Sequence, residues 1–269
     1  MIRAPLSITS VLDESADVLS VAARWTAVLV LTSLPYRLVQ ILFVDRLIEA
    51  GSEAMRYGNV LGRTANLAIA AFVLSLFGRA VFARACRLAA QRGRSPGREG
   101  WRVPPAAFAA YLVTASTGLL LWFLALPTVI GVLAAVLFSG LAVGTMELNE
   151  RAGVRAPFLL IGRYAKRIAT PIALTLVFVV AFLLALLNVT FAFQTGVWLA
   201  SAFGGFDAPH WNVLFGLQNR RFLLLMIAGA VLAVEPFWVA AQVTFVRKAG
   251  AEESGEDLRV WLDELREAS

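Results

Sequence analysis

Two groups of residues in the sequence have the types that chemistry uses. The first is Asp207 and His210, a carboxylate three positions before the single histidine of the chain. An aspartate that orients an imidazole can make a general base, so this pair is where acid–base work on a lipid would be sought. The second is Glu235, set beside Pro236 in the run AVLAVEPFWVAAQ (residues 230–242), with Arg79 and Arg37, which also lie in apolar stretches. A charge at the centre of a bilayer costs roughly 2.5–3.5 kcal/mol on insertion scales. Such a carboxylate must pair with a cation inside the protein, take up a proton, or line a path for an ion or solute.

Neither group comes with a catalytic pattern. The sequence has no P-loop, no GxSxG, no HExxH and no dinucleotide fingerprint. No serine or cysteine near His210 has a context that would activate it. Trp198, Phe203, Phe206, Trp211 and Phe215 surround His210, which suits a segment anchored at a membrane interface. One cysteine, Cys86, and one histidine leave no disulfide within the chain and no Cys/His metal cluster. The expectation is a non-enzyme with no catalytic residue, no cofactor, no metal site and no nucleic-acid partner.

The elements that position these residues follow from composition. Of 269 residues, 59% are hydrophobic and 16% charged. A soluble domain averages about 45–50% apolar and about 25% charged residues. The mean hydropathy of +0.74 agrees with an integral membrane protein. A span needs about 20 apolar residues to cross a core of roughly 30 Å. The spans predicted are 25–44, 65–83, 105–126, 128–146, 171–193 and 222–246. Residues 106–146 hold no charge. As a single helix they would run roughly 60 Å, twice the core, so two helices are predicted with Pro127 as the break.

The fold class expected is therefore all-α: six transmembrane helices in three hairpins, with the bilayer as first partner. Orientation comes from the basic residues. Seventeen fall on one side, in the stretches 84–102 and 151–167 and in the two tails; Arg46, Arg56, Arg63, Arg220 and Arg221 fall on the other. That places both termini in the cytoplasm. Residues 1–24 carry Asp13, Glu14 and Asp17 and lack a signal-peptide layout, so no cleaved signal is expected.

Within this frame depth ranks the partners of Glu235. It is 13 residues from Phe222, about 20 Å down; Arg79 is 14 from Ala65, about 21 Å; Arg37 is seven from Val44, about 10 Å. Depth favours an Arg79–Glu235 pair that fixes helix packing. Snorkelling of Arg79 beside a protonated Glu235, and a transport site that also uses Arg37, remain open. Gly140-x-x-x-Gly144 in the fourth span marks close helix packing, inside the chain or across a dimer, and oligomeric state stays undetermined.

Two amphipathic cytoplasmic helices complete the frame. In residues 1–24, Ser10 and Asp13 fit a capping box, and Val11, Ser15, Val18, Leu19 and Ala22 share a face. In residues 247–269, Ser254 can cap a helix with Leu258, Trp261, Leu262 and Leu265 at helical spacing. Both are acidic. Their polar faces suit a basic protein surface, either the chain's own loops or a membrane-complex partner. The runs QRGR (91–94), ERAGV (150–154) and VRKAG (246–250) follow the even-numbered spans. They raise a threefold two-helix repeat, although basic residues and a glycine past a helix end produce the same pattern.

The two ends carry a resemblance. APLSITSVLDESADVLSVAARWTAVLVLTSLP (4–35) and EPFWVAAQVTFVRKAGAEESGEDLRVWLDELR (235–266) resemble the opening and close of a bacterial family of uncharacterised six-helix membrane proteins. That family is related to the membrane domain fused to some glycerophosphodiester phosphodiesterases. The matching positions at the close are Pro236, Arg247, Gly255, Asp257 and Leu258. The catalytic barrel is absent, so no enzyme activity carries over. The exit departs from the family in its acids Glu252, Glu253 and Glu256. The resemblance implies a multi-pass protein of the bacterial inner membrane. Its relatives stand beside ATPases and transglutaminase-like membrane proteins, which implies an accessory or scaffold role in an envelope complex. The alternative is a small-solute or lipid transporter using Glu235, Arg79 and Arg37.

Overall fold

The computed structural model of the chain describes residues 7–50, 58–124, 167, 169–204, 214–216 and 218–255. Among them are six α-helices and no strand: α1 (Ile8–Val21), α2 (Thr26–Ala50), α3 (Gly58–Arg92), α4 (Pro105–Leu124), α5 (Ala169–Gly204) and α6 (Arg220–Ser254). Four of them, α2, α3, α5 and α6, are long and apolar enough to cross a membrane. The chain is a multi-pass, all-α membrane protein. A helix satisfies its own backbone groups, which is why apolar runs of this length take that form in lipid.

The distribution of side chains agrees. Leu31, Leu42, Ile69, Leu187 and Phe191 are exposed, while Ser15, Ser75, Thr114, Thr175, Glu235 and Gln242 are buried. Four of the buried hydroxyls bond backward along their own helices: Ser15 to the Val11 carbonyl, Ser75 to Phe72, Thr114 to Ala110 and Thr175 to Pro171. Exposed leucine stripes on that scale mark a surface made for lipid.

The chain divides into two units. One contains the described residues of Met1–Val28, Arg79–Val177 and Pro236–Ser269. Its core joins Val11 of α1, Ala110 of α4, Leu174 of α5 and Phe245, Val246 and Ala249 of α6. The other contains those of Leu29–Gly78 and Phe178–Glu235. There Tyr36 packs on Phe72 at 5.3 Å, and Phe193 packs on Phe215 and Phe222 at 4.9 and 5.1 Å.

Several expected boundaries move. The N-cap of α1 is Ser7, whose Oγ accepts from the Ser10 amide at 3.1 Å. Ser10 therefore lies inside the helix, three residues past the true cap. The predicted buried face of Val11, Ser15 and Val18 is present. Pro35 and Pro236 lie inside α2 and α6 without ending them. Ser254 is the last residue of α6, with Gly255 following at φ +66°. Of the basic-plus-glycine runs, Gly93 ends α3 at φ +62°, whereas Gly250 lies within α6. Pro127, Gly140, Gly144, the ERAGV run, the fourth span, and Leu258, Trp261, Leu262 and Leu265 lie outside the described residues.

Candidate functional site

The intramembrane carboxylate sits on α6 and is buried, with a side chain 5% exposed. Its cation comes from α2: Arg37 Nη2 lies 3.8 Å from Glu235 Oε2. That separation makes an ion pair beyond hydrogen-bond range. Arg37 is steered by its neighbours on the same helix. Its Nη1 donates to Gln40 Oε1 at 3.0 Å, and its guanidinium carbon lies 5.2 Å from the Tyr36 ring centroid. Arg37, which ranks behind Arg79 in depth, stands against the carboxylate. Arg79 lies half-buried on α3 and belongs to the other unit.

The reason lies in side-chain direction. Within this unit α2 and α6 run antiparallel, because Asp45 near the end of α2 meets Arg220 at the start of α6 while Arg37 meets Glu235 further along. Every helical Cα–Cβ bond tilts toward its own N-terminus. Arg37 thus leans away from the Asp45 end, and Glu235 leans toward the Arg220 end. The two tilts bring together residues whose Cα depths differ by about 10 Å in the span count.

A second charged cluster closes the same pair of helices. Arg220 Nε donates to Asp45 Oδ1 at 2.9 Å, and Arg221 Nε to Asp45 Oδ2 at 2.7 Å. Arg221 Nη2 also donates to Glu49 Oε1 at 2.9 Å. The Asp45 side chain is 4% exposed and accepts from both arginines. Charge bias places Arg220 and Arg221 on the outer side but says nothing of Asp45 and Glu49. A signal was present: acids at a helix C-terminus and bases at a helix N-terminus each oppose their own macrodipole, which is tolerable when the two ends pair.

The third cluster is in the other unit. Arg247 forms an ion pair with Glu14 of α1, and Lys248 Nζ lies 2.9 Å from the same carboxylate. Lys248 also donates to the Ser10 carbonyl at 3.0 Å. The acidic face of α1 is thus docked on basic residues of its own chain. At the end of α6, Glu252 pairs with Arg167 at 2.5 Å.

The three clusters tie helix to helix. Among the described residues no three His, Cys, Asp or Glu side chains converge as metal ligands. Asp207 and His210 lie outside the described residues.

No family model, curated protein or solved structure matches this chain. Its chemistry is therefore read from these contacts alone.

Proposed function

We propose that this chain is a six-span accessory or scaffold subunit of a bacterial inner-membrane envelope complex, with both termini cytoplasmic and no catalytic site. One observation carries the reading: the buried charges Glu235 and Asp45 and the half-buried Glu14 are each engaged by arginines or lysines of a neighbouring helix. Charges spent in this way fix helix positions. The basic bias of 84–102, 151–167 and the tails supports the orientation. The uncharged run of 106–146 supports a third and a fourth span. The resemblance of residues 4–35 and 235–266 to the six-helix family supports the envelope setting. With α1 docked on its own chain, the acidic segment past Gly255 and the basic cytoplasmic loops are the surfaces left for a partner.

The test is purification in mild detergent, with mass spectrometry of retained proteins and lipids, for the full chain and for a chain ending at Gly255. A stoichiometric protein partner lost on truncation supports the scaffold. A clean protein carrying one solute or lipid in both forms refutes it and favours transport. The transport reading draws on one feature, the Arg37–Glu235 pair on two helices that each contain a proline.

A further inference from the structure

The connection between α3 and α4 is short, basic and firmly held. Gly93 turns the chain out of α3, and Arg98–Trp101 forms a single 3-10 turn before α4 begins at Pro105. Four side chains grip its backbone or its one acid. Arg24 and Trp25 both donate to the Pro96 carbonyl, the indole at 3.3 Å. Arg84 Nε donates to the Glu99 carbonyl at 3.1 Å, and Arg92 pairs with the Glu99 carboxylate. Gly100 is buried against Trp25, whose ring would lie 2.6 Å from an added Cβ.

What the loop turns outward differs from what it uses for anchoring. Arg94, Arg98 and Arg102 are exposed, and no described residue pairs with any of them. Trp101 is 50% exposed, with one side of its ring toward Trp25 at 5.3 Å. The only acid of the loop, Glu99, is already taken by Arg92. The chain enters α4, a 20-residue helix with no charge, three residues after Arg102. A rigid turn with three open guanidiniums and a half-exposed indole thus stands at the mouth of an apolar helix. Guanidinium matches phosphate oxygens in a two-pronged geometry, and indole favours the headgroup level of a bilayer.

The geometry points to a headgroup site for an anionic phospholipid, formed by Arg94, Arg98 and Arg102 with Trp101 as the interfacial anchor. Lipid is favoured over dissolved phosphate because the arginines adjoin an apolar helix and the indole needs a membrane interface. The site goes beyond the scaffold reading and does not depend on it.

The experiment uses the full chain in nanodiscs of zwitterionic lipid containing either brominated phosphatidylglycerol or brominated phosphatidylcholine at equal mole fraction. The Trp101 signal is the fluorescence difference between the native chain and W101F. A basic residue at an anionic surface strengthens binding by about fivefold. Quenching of Trp101 should therefore be several-fold stronger with phosphatidylglycerol, and R94Q/R98Q/R102Q should bring the two lipids level. If the triple variant fails to insert, the single changes should each lower the preference by up to about fivefold, and R98K should keep most of it. Equal quenching in the native chain, or a preference that survives removal of the arginines, overturns the proposal. A preference that emerges only in a chain ending at Gly255 overturns it too, because the acidic tail then covers the loop.

Discussion

Arg37 of α2 reaches Glu235 of α6 at 3.8 Å, across two helices that run in opposite directions. Each side chain leans toward the N-terminus of its own helix, so the pair closes a gap that counting residues down the spans leaves open. Breaking a buried pair from one side strands a charge at a cost of about 3–5 kcal/mol, whereas removing both partners is often close to neutral. Glu235→Gln and Arg37→Gln should each lower the melting temperature in detergent or nanodiscs, and the double variant should recover most of the loss. Additive losses would show that the two residues act separately.

Asp45 and Glu49 should differ sharply. Asp45 is buried between two arginines, whereas the Glu49 side chain is 38% exposed. Asp45→Asn leaves Arg220 and Arg221 facing a neutral amide and should lower the melting temperature, by more than Glu49→Gln does, because the Asp45 side chain is buried while these arginines are exposed to water. Glu49→Gln should cost less than about 1 kcal/mol, as for a surface pair, and the native Glu49 contribution should fade in high salt. Equal effects in a chemical or thermal melt would contradict this ranking.

The docking of α1 rests on Glu14 for charge and Val11 for packing. Glu14→Arg places a third cation beside Arg247 and Lys248 and should release the helix. Hydrogen exchange over residues 8–21 should then accelerate while the exchange of α2 stays slow. Val11→Ala removes two buried methyl groups and should cost about 1.6 kcal/mol. Protection of α1 that survives Glu14→Arg would show that the apolar face holds it alone.

Gly78 on α3 lies where an added Cβ would collide with the Thr32 hydroxyl of α2. Gly78→Ala should destabilise by about 1–3 kcal/mol through overpacking. Thr32→Ala should relieve that only in part, since the Thr32 Cβ would itself lie 2.6 Å from the new one. A Gly78→Ala chain as stable as the native one in a thermal melt would place α2 and α3 further apart than the structure has them.

Much of the architecture was readable because hydrophobic runs of membrane length have few alternatives. The helical form of 25–44, 65–83, 171–193 and 222–246 and the buried face of Val11, Ser15 and Val18 all follow from composition and period. Helix ends were less readable. Ser10 looks like a cap on paper, but Ser7 is the one whose Oγ takes the Ser10 amide. Gly250 and Gly93 look alike in sequence, but Val246 and Ala249 on the turns around Gly250 are gripped by a core that keeps α6 helical. The closeness of Arg37 to Glu235 was hard to read because depth along a span is a property of Cα atoms, while ion pairs are made by side-chain ends. The close approach marked by Gly78 was overlooked because a single glycine lacks the spacing that made Gly140 and Gly144 stand out.

The contact between Asp45 and Arg220 spans 175 positions of sequence, and this separation bears on the order of synthesis. The end of α2 leaves the ribosome long before α6 exists. Until then its two carboxylates stand at the negative end of a helix dipole with no cation from α6 to meet them. The last described helix therefore closes the domain as well as ending it. A chain truncated before Arg220 keeps the Arg46–Glu49 pair but leaves Asp45 without Arg220 and Arg221, a local mark by which an unfinished copy differs from a finished one.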